Sequence, residues 1–131
     1  MEKSRISRFE DLDAWKKAED LVLEIHRALK TLPSQEREVL AEDLFMAACL
    51  VAVRIAQGFE LFYYEDKVKH YQKGRSLAVK VQVLVEIAKG LNLIDENTCR
   101  DLLGRTDMVK KMINGMLISL EKNSHKFTHK A

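Results

Sequence analysis

Proline and glycine are scarce. One proline and five glycines in 131 residues leave little punctuation for a β-rich fold of many short strands, and fit long helices joined by short turns. Cysteine is nearly as rare. Cys49 and Cys99 lie far apart within apolar helical patterns, with no Cys-x-x-Cys and no histidine cluster beside them. A metal pair or redox pair therefore lacks its partners, and both residues read as reduced, core-facing thiols. No hydrophobic run is long. The longest, Leu44 to Ile55, is broken by Arg54 and falls short of the roughly 20 residues a membrane span needs. The first ten residues are polar and hold no apolar signal core, so the expectation is a soluble, cytoplasmic chain with no membrane partner. Charge of one sign is not in excess either. With a formal net charge of +2 the molecule is no polycation, and any electrostatic argument rests on where the charges lie.

Catalytic groupings are missing too. His26 and His70 stand singly on different helical segments, and no Ser-His-Asp grouping is suggested. Gly74-Arg-Ser76 is a lone glycine within a helical pattern, not a phosphate loop. A di-metal bundle site needs inward-facing Glu-x-x-His pairs, but Leu23 and Lys67 occupy the positions three residues before His26 and His70. His125 and His129 have i, i+4 spacing and could grip a metal only if helical. The expectation is a protein without catalytic residues, metal or cofactor.

What is present is helical periodicity. A chain of 131 residues suits one domain and buries about two-thirds of its unfolded surface. The pattern predicts an all-α, antiparallel up-down four-helix bundle, a single domain over 1–131 with helices near 12–32, 34–57, 66–91 and 95–121 and a flexible basic tail over 122–131. Leu12, Trp15, Ala18, Val22, Ile25, Leu29 and Leu32 recur every three or four residues in the first helix, with Asp11 as N-cap, Trp15 as core anchor and Pro33 as stop. Ser34 opens the second helix and Gly58 closes it. Gly58 to Tyr64, with four aromatics, reads as a connection. Val68, Tyr71, Ala78, Val81, Val85 and Ala88 line the third helix, which Gly90 and Asn92 end. Asp95 caps the fourth, lined by Leu102, Val109, Ile113, Met116 and Leu120. Gly104 and Gly115 either permit close packing or are tolerated at about 1 kcal/mol each. Short connections favour antiparallel neighbours.

Two features exceed what a bundle needs. The second half of helix 2, Leu44 to Ala56, is apolar nearly all round. Such a helix must be covered on all sides, which points to a homo-oligomer. Helix 3 carries six cations (Lys67, Lys69, Lys73, Arg75, Lys80, Lys89) against two acids, Asp66 and Glu86. At about 100° per residue, Lys69, Lys73 and Lys80 share a narrow sector beside the apolar stripe. Such a row can meet successive phosphates, or be a solvated lysine face. Arg54, the sole charge in the apolar half of helix 2, needs a partner or a polar surface. Tyr63, Tyr64 and Tyr71 lie nearby without being interleaved on that face.

Phe9-Glu-Asp-Leu-Asp-Ala-Trp-Lys-Lys-Ala18, the segment Ile55-Ala-Gln-Gly-Phe59, Ser76-Leu77 and Leu91-Asn-Leu-Ile94 together resemble the four-helix-bundle protein family of rRNA intervening sequences, over roughly Phe9 to Leu120. The resemblance implies an up-down bundle, often a homopentameric ring, and extends to the accessory variability proteins of diversity-generating retroelements, which bind a reverse transcriptase and nucleic acid. The chain departs from the family pattern: Phe45-Met46 stand where a basic pair is usual, Ala52 and Arg54 replace proline and asparagine, and Gln57 replaces a glutamate. Lys80 and Gln82 replace acids of helix 3. The expected function is non-enzymatic binding of RNA, DNA or a ribonucleoprotein through Lys69, Lys73, Arg75 and Lys80, with Arg54 secondary. The alternative is an accessory scaffold that binds a reverse transcriptase or other protein without touching nucleic acid.

Overall fold

A computed structural model describes residues 6–32 and 38–124. The expected Pro33 stop, the Ser34 cap and the His125/His129 pair lie outside the described residues. Among the described residues the fold is all-helical. A 3-10 turn at Phe9–Asp11 leads into α1 (Asp13–Lys30), followed by α2 (Glu38–Glu60), α3 (Tyr64–Gly90) and α4 (Glu96–Lys122). No described helix is long and apolar enough to cross a membrane.

The four helices enclose one core. Each packs against two others, α1 on α2 and α4, α3 on α2 and α4. Ala18, Leu21 and Ile25 of α1 meet Leu44, Val51 and Ile55 of α2, Val81 and Val85 of α3, and Leu102, Val109 and Ile113 of α4. Burying such side chains contributes about 1.5–3 kcal/mol each before the entropy of ordering them is subtracted. The α1 stripe centres on Ala14, Ala18, Leu21 and Ile25. Trp15 sits at its edge, half-buried, with Phe9 packed edge-on at 5.2 Å. Cys99 lies in the core, whereas Cys49 is only half-buried.

Several boundaries depart from expectation for physical reasons. Asp11 does not cap α1. It belongs to the 3-10 turn, and Leu12 occupies the cap position without a side-chain bond. Asp95 does cap α4, accepting from the Thr98 amide at 2.7 Å, and that bond holds its carboxyl below the usual range. At the end of α3, Asn92 adopts a left-handed φ of 61°. The Leu93 amide then reaches Ala88 O and the Asn92 amide reaches Lys89 O, both at 2.9 Å, the paired bonds of a Schellman stop.

Gly58 does not stop α2, which continues to Glu60. Its role is packing. A Cβ at Gly58 would lie 2.5 Å from Cε1 and 2.7 Å from Cδ1 of Tyr71. Tyr71 is buried at 4% exposure, with its hydroxyl pushed up to about 12 by burial, so the ring has no room to retreat. Gly74 serves the same helix pair from the other side, where a Cβ would stand 3.3 Å from Arg54 Cβ. The connection between α2 and α3 shrinks accordingly to residues 61–63. Gly104 and Gly115 meet nothing within 4 Å, so neither supports close packing within the chain.

The sign of a glycine-to-alanine change separates these roles. Gly58→Ala should destabilise by about 1–3 kcal/mol through overpacking, against the ~1 kcal/mol gain that helix propensity alone gives. Gly104→Ala should instead stabilise. Chemical denaturation of both variants, repeated in a Tyr71→Leu background, checks this: the Gly58→Ala cost should largely vanish there.

Candidate functional site

α3 enters the fold with its cations in different surroundings. Lys67 is not part of a solvated row. It is 9% exposed, and its Nζ donates to Gly58 O at 3.1 Å and Phe59 O at 2.9 Å. Those carbonyls belong to the last turn of α2, where a cation complements unsatisfied C=O groups and the negative end of the helix dipole. Nζ also sits 5.8 Å from the Phe59 ring centroid. Desolvation lowers the Lys67 pKa, with Glu60 opposing.

Lys69 and Lys73 stand one turn apart on the outer edge of α3, both exposed, about 6 Å along the axis. Neither makes an ion pair among the described residues. Arg54 of α2 joins them. Its Nη1 lies 2.8 Å from His70 Nδ1 and 3.4 Å from Gln57 Oε1. A guanidinium only donates, so Nδ1 accepts and the ring proton sits on Nε2. His70 is thus the hinge of the cluster. Desolvation first, then the positive fields of Arg54, Lys73 and Lys69, lower its pKa, against Asp66. Gln57, Glu60, Leu61 and His70 line a shallow pocket of about 230 Å³ beside it.

The other two expected residues sit elsewhere. Lys80 lies about 16 Å along the axis from Lys69 and is 3.0 Å from Asp43, so its local charge is balanced. Arg75 falls roughly 120–160° around α3 from the other lysines at 100° per residue, on the flank of Gln82, which accepts from Lys110 of α4 at 3.1 Å. Arg54, Lys69 and Lys73 come together; Arg75 and Lys80 do not join them. His70 was missed by sequence reasoning because only the α2–α3 register, which brings residues sixteen apart into contact, gives it a role.

Several cations elsewhere are matched. Arg105 pairs with Asp20 and Asp101, Arg100 and Lys89 with Glu96, and Lys111 with Asp107. No group of three or more His, Cys, Asp or Glu suited to a metal occurs among the described residues. Burial pushes both cysteine thiols up, away from nucleophile character.

Residues 10–115 match the family described as 23S rRNA-intervening sequence protein, and the chain belongs to that family. No curated protein matches it.

His70 carries a pH prediction. Its folded pKa lies below the unfolded value near 6.5, so the fold binds fewer protons there than the unfolded chain. Its contribution is present above pH 6.5 and is lost as pH falls through the lowered folded value. The stability of the wild type should therefore drop more between pH 7.5 and 5.5 than that of His70→Gln, measured by urea denaturation; parallel losses would contradict this account.

Proposed function

We propose that this member of the 23S rRNA-intervening sequence protein family binds the phosphate backbone of nucleic acid through Arg54, Lys69 and Lys73, as a binding protein and not an enzyme. The observation that carries the reading is the clustering of these three cations around one neutral histidine, while Arg100, Arg105 and Lys111 of α4 face acids. Unbalanced charge on rigid helices attracts polyanions. Contacts to phosphates position a ligand without reading its sequence, so little base specificity is expected. The family name points to 23S rRNA intervening sequences, which makes RNA the first probe, with DNA beside it. Lys80 becomes available when its half-exposed pair with Asp43 opens, since such pairs contribute little. Arg75 takes no part in this reading.

The architecture that fits is an antiparallel up-down bundle. Asp43 meets Lys80, whereas Arg54, later in α2, meets the earlier His70. Gln82 meets Lys110, whereas Lys89 meets Glu96. Both pairings run in opposite directions along their helices. We also infer a homo-oligomer in the cytoplasm. Val39, Met46, Leu50 and Val53 of α2 are exposed, as are Val79, Val83 and Ile87 of α3. Their spacings put each set on one stripe, and exposed apolar stripes mark association surfaces. A five-membered ring is what the resemblance leads one to expect. The same stripes favour the second reading, an accessory scaffold whose partner is a reverse transcriptase or another protein.

Replacing Lys69 and Lys73 with glutamine together should weaken RNA binding and reduce the slope of log K against log salt by about 1.4–1.8 for each subunit in contact, at 0.7–0.9 per phosphate contact. Fluorescence anisotropy across a salt series measures both; an unchanged curve removes the assignment. Light scattering on a Met46→Glu/Val53→Glu variant should report a smaller species than the multi-subunit wild type. A monomeric wild type would remove the oligomer.

A further inference from the structure

We infer that His70 is a proton-operated latch on Arg54, so that the cation cluster takes up a polyanion together with a proton and binds it more tightly as pH falls. This rests on the backbone-binding reading above and adds the regulation of that site.

The latch follows from hydrogen-bond chemistry at one contact. Arg54 Nη1 donates to His70 Nδ1 at 2.8 Å and makes a long second contact to Gln57 Oε1 at 3.4 Å. A guanidinium has five N–H donors and no acceptor. A neutral imidazole can receive one of those donors, whereas an imidazolium carries a proton on both nitrogens and can receive none. Protonation at Nδ1 therefore cannot leave the contact in place. It turns an acceptor into a second donor and sets two positive charges at hydrogen-bond distance. The Arg54 backbone is fixed within α2, so the guanidinium is the part that moves away from His70. Both side chains are half-buried, and His70 lines the shallow pocket with Gln57, Glu60 and Leu61. Water can deliver the proton there without opening the fold.

The charges around the ring come from two helices. α2 supplies Arg54, and its Glu60 lines the pocket wall. α3 supplies Lys73 and Lys69, with Asp66 opposing them. α4, also packed against α3, adds none to that set. Desolvation and the three cations together favour the neutral ring in the free site. A phosphate held by Arg54, Lys69 and Lys73 reverses the balance, because negative charge beside the ring favours the imidazolium. Proton and polyanion then raise each other's affinity by the same factor. The sign is fixed by this linkage. Binding raises the His70 pKa above its free value, which lies below 6.5. The gain in affinity is complete below the free value and is lost as pH rises through the bound one.

The test uses the full chain and labelled oligouridylate, whose bases do not titrate in the histidine range. Fluorescence anisotropy gives its affinity at about pH 7.5 and about pH 5, which bracket that range, for wild type and for His70→Gln, which stays neutral at both. His26, His125 and His129 are present in both proteins and cancel in the comparison. The gain on acidification should be about tenfold larger in wild type for each subunit in contact, the equivalent of a one-unit rise in the His70 pKa. The slope of log K against log salt should steepen by about 0.7 per subunit in wild type alone, as one more cation is engaged. Proton NMR of the wild-type His70 ring needs no variant to fold, and should show its pKa rising when the RNA is added. Equal gains in the two proteins, or a His70 pKa that RNA does not move, overturn the latch and leave backbone binding standing. If wild type binds the RNA at neither pH, both readings fall.

Discussion

The close approach of α2 and α3 is the constraint on which the site depends. Tyr71 lies where a side chain at residue 58 would be, and Gly74 lies beneath Arg54. Each glycine removes a Cβ at the helix–helix contact, and interior packing leaves no slack to replace it. The same end of α2 is closed by Lys67, whose ammonium bonds two of its terminal carbonyls. Ring, glycines and lysine together fix the register of the two helices. The register in turn brings Arg54 to His70. A charge on a largely apolar helix thus finds a neutral acceptor instead of an acid, and remains available to an outside anion.

A net charge of +2 understates this local field. On α4, Arg100, Arg105 and Lys111 stand beside carboxylates of their own helix or of α1. At the far end of α3, Lys89 bridges to Glu96, and Lys80 is balanced by Asp43. The balance tips positive around His70, where Arg54, Lys69 and Lys73 act to keep the imidazole neutral and Asp66 opposes them. Position and not composition makes the patch, because field at a surface falls off over roughly 8–10 Å at ordinary salt.

Much of the fold is legible in residues whose effect is local. Asp95 caps α4 through an amide three residues away, and Asn92 ends α3 by its own backbone angle. The stripe from Tyr71 to Ala88 is buried nearly as periodicity requires. Legibility stops where meaning depends on another helix. Gly58 has the composition of a helix stop, and only the Tyr71 ring shows it to be a notch. Lys67 looks like one more cation in a basic helix, yet the carbonyls it satisfies lie eight and nine residues earlier, across a turn. His70 stands alone in sequence, and Arg54 gives it a role from sixteen residues away. Arg75 is a different case. Helical geometry already sets it on another flank from Lys69 and Lys73, so grouping it with them follows proximity in sequence more than proximity in space.

The surplus apolar surface and the cation cluster both lie on α2 and α3, so the proposed assembly and the proposed binding would be joined. Val53 is 42% exposed directly before Arg54, and Leu50 is 36% exposed one turn earlier. In the oligomer proposed here, covering these side chains draws the clusters of adjacent subunits toward one another. Three cations per subunit make a weak site at physiological salt, because each phosphate contact releases only about one counterion. Several such sites on the proposed assembly would act on one nucleic-acid chain as linked sites, and linkage converts later contacts into intramolecular ones with high effective concentration. Affinity then depends on subunit number more steeply than on any one lysine. A chain with little net charge can in this way hold a polyanion, provided its apolar edge is used to bring copies together.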